Sequence, residues 1–141
     1  MSMKILFAFL LGFAGGTAIA QDSWKVCLGE KVLLKTSAED AVKNVIKISY
    51  VDLRTKRNFF VNYTDATRQD GWQRTIAVYD EKDNELKKQT GKRLSLKTSE
   101  LKTLLNKYKT LRIFTVNSPI DPKMKSQVRL RRVHLCTLIL Q

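Results

Sequence analysis

Trp72-Gln73-Arg74-Thr75-Ile76-Ala77-Val78-Tyr79-Asp80-Glu81-Lys82-Asp83-Asn84-Glu85-Leu86-Lys87-Lys88-Gln89-Thr90 is the clearest statement of architecture in the chain. From Arg74 to Asp80, Ile76 and Val78 fall on one side, the two-residue alternation of a strand with one buried face. Glu81-Lys82-Asp83-Asn84 then supplies the residues of a chain reversal. Glu85 to Gln89 is expected to return antiparallel before the break at Thr90-Gly91. Strand, tight turn and strand in this order predict a β-hairpin.

The same period extends in both directions. Upstream, Trp24, Val26 and Leu28 alternate with Lys25 and Cys27. Gly29-Glu30-Lys31 is a turn, and Val32-Leu33-Leu34-Lys35 resumes as a strand, so the mature chain is expected to open on a hairpin. Thr36 to Asn44 is polar, a loop or one helical turn with Ser37 as cap. Val45 to Leu53 carries Ile46, Ile48 and Tyr50 on one face. Beyond the basic break Arg54-Thr55-Lys56-Arg57, Phe59, Val61 and Tyr63 alternate through Thr64, and the two stretches are expected to pair as another hairpin. Asp65 to Gly71 is a polar loop. Downstream, Leu94 and Leu96 point inward from a short strand over Arg93 to Lys97. Only then does helical spacing occur, with Leu101, Leu104, Leu105 and Tyr108 at i, i+3, i+4 and i+7. Thr98 or Ser99 stands as cap and Glu100 in the first turn, which predicts one short amphipathic helix over 98–108.

Leu111 to Val116 is again a strand. Asn117-Ser118-Pro119-Ile120-Asp121-Pro122 is expected to leave the sheet, because neither proline has an N–H to donate. Gln127 to Leu140 closes the chain. A bulge is expected at Arg131-Arg132, where the alternation loses register, and Leu135 to Leu140 has the apolar density of a central strand. Eight or nine short strands, one helix and no strand-helix alternation define an all-β class, an antiparallel β-sandwich, with a small closed barrel as the alternative.

The first twenty residues, MSMKILFAFLLGFAGGTAIA, have the parts of a signal peptide. Lys4 is the basic n-region, Ile5 to Phe13 a short apolar run, and Ala18-Ile19-Ala20 a small-x-small cleavage pattern. The apolar run is shorter than the ~20 residues that span a bilayer. Residues 1–20 are therefore expected to direct export to the periplasm or medium, leaving one β-sandwich domain over 21–141 with no transmembrane segment. The chain has 26 Lys and Arg against 13 Asp and Glu, a formal net charge of +13. Such an excess draws acidic partners by a field that salt screens. Outside the cytoplasm those partners are an acidic glycan, an anionic lipid head group or an acidic envelope protein rather than nucleic acid.

Two cysteines, Cys27 and Cys136, lie at opposite ends of the mature chain. Oxidation is permitted after export, and a bridge closing so long a loop is worth up to ~4 to 5 kcal/mol. Against it, Cys27 points away from the face that carries Trp24, Val26 and Leu28, so two separate thiols are the other outcome. His134 and Cys136, two residues apart, are expected on one strand face, the arrangement of an imidazole-activated thiolate or, with Cys27, part of a metal site. Side chains so spaced stand about 7 Å apart, and no second histidine completes a zinc set. Packing is therefore the better account, and no catalytic residue, metal or cofactor is assigned.

Asp80, Glu81, Asp83 and Glu85 lack the alternate spacing and central glycine of a calcium loop, and fit a solvated hairpin tip. Asp65 and Asp70, with Arg68 or Arg74, flank a loop that could form a polar pocket beside Trp72. Arg129, Arg131 and Arg132 offer guanidinium groups for phosphate or sulfate, although a charged strand end also guards against edge pairing. The candidate binding residues are thus Arg129, Arg131, Arg132, Trp72 and Arg74. In its leader, Trp24-Lys25-Val26, Gly71-Trp72-Gln73-Arg74-Thr75 and Arg129-Leu130-Arg131-Arg132-Val133-His134-Leu135, the chain resembles small secreted proteins of Bacteroidetes with no assigned function. The resemblance spans most of the mature chain and carries over no activity and no site. A non-enzymatic binding domain is the expected function, with a small extracytoplasmic hydrolase or a structural component of the envelope as alternatives.

Overall fold

The computed structural model describes residues 20–54 and 57–141. The expected leader falls outside them, Ala20 apart. The described residues form nine strands in two sheets. One sheet has the order β2-β1-β4-β7, from Lys31–Thr36 (β2), Ser23–Leu28 (β1), Asn58–Thr64 (β4) and Arg93–Lys97 (β7). The other runs β3-β9-β8-β5-β6, from Val45–Ile48 (β3), Val133–Leu140 (β9), Thr110–Pro119 (β8), Trp72–Tyr79 (β5) and Glu85–Thr90 (β6). The sheets remain separate ladders with β2, β7, β3 and β6 at their edges, so the fold is an open sandwich and not a closed barrel. Among the described residues no helix is long and apolar enough to cross a membrane.

One core lies between the sheets. Val26, Phe59, Val61, Leu94 and Leu96 of the first sheet meet Ile76, Val78, Leu111, Ile113 and Leu138 of the second, all essentially buried. They are the inward members of the alternations read from sequence. The hairpins β1/β2 and β5/β6 form antiparallel as expected. At the tip of the second, the Asp80 carboxylate accepts the N–H groups of Lys82 (2.9 Å) and Asn84 (2.8 Å), and Asp83 takes a left-handed backbone at φ 67°. The carboxylates there organise a turn, as short polar side chains do.

The helix α2 covers Thr98–Tyr108 and carries the chain from β7 in one sheet to β8 in the other, burying Leu101 and Leu105. Its N-cap is Lys97, with no side-chain cap bond, so neither Thr98 nor Ser99 caps it. The stretch Val45 to Leu53 is not one strand. It breaks at Ser49, whose hydroxyl accepts from the Asp52 N–H while the Asp52 carboxylate accepts from the Ser49 N–H, a capping box that opens the single turn α1 (Tyr50–Leu53). The hairpin expected with β4 does not form. β3 instead pairs with β9, parallel, in the opposite sheet, Val45 beside Thr137 and Ile48 beside Leu140.

β8 runs on to Pro119, which lies opposite Trp72 at the strand end, beyond the last β9 partner at Val133. Proline is tolerated there because no interior ladder bond is lost. The following turn α3 (Pro122–Lys125) opens with the Asp121 carboxylate accepting the Lys123 N–H. β9 starts only at Val133. Its irregularity lies at Leu135, not at the arginine pair, since Ile113 faces Cys136 while Phe114 faces His134.

Candidate anion-binding cleft

The break Arg54-Thr55-Lys56-Arg57 separates α1 from β4, and the antiparallel pairing of β4 with β7 sets Asn58 opposite Lys97. α2 begins at the next residue. Residues about forty positions apart in sequence therefore meet at one corner of the sandwich. There an open cleft of about 640 Å³ is lined by Arg54, Arg57, Lys97 and Lys102, with Ser99 and the buried Leu53 beside them. No carboxylate lines it, and none of the four cations forms an ion pair among the described residues. The side chain of Arg57 lies against Gly29, which turns the β1/β2 hairpin at φ 61°. A side chain at Gly29 would strike the Arg57 methylenes as well as strain the backbone.

The field of this corner is reinforced by the positive end of α2, whose first N–H groups point out of the helix. Glu100, the acidic residue of the first turn, is turned to other work. Its carboxylate meets Lys87 Nζ at 2.6 Å and the Lys97 backbone N–H, and these contacts outweigh its burial and hold it below the ordinary glutamate value. The cleft thus gathers on one concave surface four cations that have no ion pair among the described residues, Lys97 also feeling the Glu100 charge.

Trp72 and Arg74, expected to bind, do not line this cleft. A cavity of about 440 Å³ does bring together Asp65, Asp70, Arg68, Trp72 and Arg74. Its charges are already matched. Arg74 is 8% exposed and its Nη2 lies 2.7 Å from Asp65, itself 5% exposed, while its Nη1 donates to Thr115 Oγ1 at 3.1 Å. The guanidinium stacks on the Tyr63 ring at 3.8 Å, and the Tyr63 hydroxyl donates to Asp22 at 2.7 Å. Burial would raise the Asp22 carboxyl, but the Ala66 N–H, the Tyr63 hydroxyl and the Arg74 charge outweigh it and leave it below the ordinary value. Arg68 and Asp70 pair on the surface at 2.8 Å. The arrangement clamps one sheet to the other and presents neither an available base nor a free guanidinium.

The three C-terminal arginines also separate. Arg132 lies over Phe114 (4.0 Å) and Tyr79 (5.0 Å) on the outer face of the five-stranded sheet and meets Asp83 at 2.7 Å. Arg131 pairs with Glu39, whose other oxygen accepts the His134 N–H at 2.7 Å. Arg129 is exposed and has no ion-pair partner among the described residues. Trp72 and Arg74 thus line one cavity and Arg132 another.

The bulge at Leu135 also separates His134 from Cys136. Leu135 and Cys136 both enter the core, while the His134 ring packs edge-on against Phe114 outside it, its Nε2 2.8 Å from Thr137 Oγ1. The expected shared face does not exist, and burial pushes the Cys136 thiol up, away from the thiolate. Cys27 and Cys136 are both free and buried, so the bridge is not formed. Cys27 sits opposite Phe60 on the side of β1 away from the core, whereas Cys136 faces inward from the other sheet. Sequence reasoning passed over the cleft because Arg54 and Arg57 read as a break between strands, Lys97 as the end of a strand, and Lys102 was not singled out. Only the non-local pairing of β4 with β7 joins them. No protein-family model, curated protein or solved structure matches the chain.

Proposed function

We propose that the protein is an exported, non-enzymatic binding domain whose basic cleft takes an acidic macromolecule. The signal-peptide pattern of residues 1–20 and the resemblance to small secreted proteins support export to the periplasm or medium. The observation that carries the binding reading is the cleft itself, with Arg54, Arg57, Lys97 and Lys102 around about 640 Å³ and no carboxylate in its lining. An open cleft of this volume suits a segment of an acidic polymer, an acidic glycan above all, more than an enclosed small molecule. The other carboxylate and histidine clusters are occupied by internal partners, which favours binding over hydrolysis.

The test is retention of the exported protein on heparin. Retention at low salt is expected to weaken steeply toward physiological ionic strength. Replacing the four cations by glutamine (R54Q, R57Q, K97Q, K102Q) is expected to lower affinity about 10- to 100-fold, from the typical worth of exposed charge contacts. Equal retention of this variant and the parent would remove the cleft from the function.

A further inference from the structure

We propose that the surface segment from Ile120 to Arg132 docks on an anionic lipid bilayer. The segment joins β8 to β9 and combines two properties rarely found together on a solvated loop. Ile120, Met124 and Leu130 are 59%, 45% and 42% exposed, and within the same stretch five cations accompany one carboxylate, Asp121.

The segment is a folded tip. The Ile120 N–H donates to the Gly71 carbonyl at 2.9 Å, fixing the point of departure from β8. The N–H groups of Met124 and Lys125 return to the Asp121 carbonyl, and the Gln127 N–H to Met124. At the far end Arg131 and Arg132 are tied to Glu39 and Asp83, which anchor the segment to the body of the sandwich. Lys123, Lys125 and Arg129 have no ion-pair partner among the described residues and remain for an outside anion.

Charge complementarity alone would fit any polyanion. The apolar side chains decide between them. A glycan or a nucleic-acid backbone meets the cations and leaves Ile120, Met124 and Leu130 in water. A bilayer surface takes both, with head-group phosphates on the cations and the apolar side chains in the acyl boundary. This inference does not rest on the cleft, which uses none of these residues.

The experiment is flotation of the exported protein with vesicles of phosphatidylglycerol and phosphatidylcholine in equal parts, against vesicles of phosphatidylcholine alone, at physiological salt. The parent is expected to float with the anionic vesicles and not with the neutral ones. The variant K123Q, K125Q, R129Q is expected to partition about 100-fold less, and I120S, M124S, L130S at least about 100-fold less, each with an unchanged circular dichroism spectrum. The cleft variant R54Q, R57Q, K97Q, K102Q is expected to keep vesicle binding while losing heparin. Failure of the parent to float, or flotation of the serine variant equal to the parent, would overturn the proposal. So would loss of vesicle binding in the cleft variant equal to that in the segment variant. Vesicle binding with no heparin retention would overturn the cleft reading instead, and capture of the segment by an acidic protein without flotation would name a different partner.

Discussion

The guanidinium of Arg74 enters the space between the sheets because it finds there every partner its planar fork requires. Asp65 takes the charge at 2.7 Å, Thr115 the second edge, and Tyr63 the face. A buried ion pair is held less by the net worth of the pair than by the cost of leaving one member alone. Asp65→Asn should therefore lower unfolding free energy by about 3 kcal/mol, read from urea denaturation. Replacing both partners by apolar residues, Asp65→Leu with Arg74→Met, should cost less than the two single changes added together; simple additivity would show that the two side chains are not coupled. The sequence placed Asp65, Arg74 and Trp72 near one another, since loop and strand are adjacent. It did not tell a pocket from a clamp, because Thr115 arrives from β8 and Asp22 from just ahead of β1, both distant in sequence.

Elements whose partners are close in sequence were the legible ones. The hairpins around Gly29-Glu30 and around Asp80 to Asn84 are local events, and α2 follows from four apolar residues at helical spacing. β3 was the misreading. Its alternation runs on through Tyr50, yet Ser49 and Asp52 form a reciprocal cap that ends the strand, a pattern already visible as Ser-x-x-Asp. Ser49→Ala removes the hydroxyl that accepts the Asp52 N–H at 3.2 Å. It should cost about 1 kcal/mol, the usual worth of an N-cap, measured as a shift in the urea midpoint at constant slope. No change in midpoint would mean that β3 and β4 alone hold the turn. The bulge at Leu135 was not legible in place. In an apolar run such as Leu135, Cys136, Leu138 both faces look alike, so nothing marks the extra residue. In the fold, the Trp24 indole N–H donates to the carbonyl of Leu135 at 2.9 Å from the opposite sheet.

For the whole molecule, a count of charges shows that the surface is basic, and only the topology shows where the excess lies unpaired. Arg112, Arg131 and Arg132 spend their charge on Asp83 and Glu39, while Arg54, Arg57, Lys97 and Lys102 do not. The same internal pairing makes global stability a function of pH. Burial lowers the His134 imidazole below its ordinary 6.5, with the Glu39 charge opposing and the Arg112 charge reinforcing. The unfolded chain then binds this proton more readily, so the contribution is complete above about pH 6.5 and is lost as pH falls from there through the folded value. Asp80 is lowered by the side-chain and backbone N–H groups of Asn84, while Glu39 and Asp22 are lowered by hydrogen bonds and charges that outweigh their burial. Their contributions persist above the ordinary carboxylate range and are lost as pH falls below about 4. Urea midpoints taken from pH 8 downward should thus show a plateau, a first decline below about pH 6.5 and a second below about pH 4. His134→Gln should abolish the first decline and leave the second. A first decline that survives this substitution would have to come from a group other than the sole histidine of the chain, and the burial of His134 outside the core would then have no part in the stability of the sandwich.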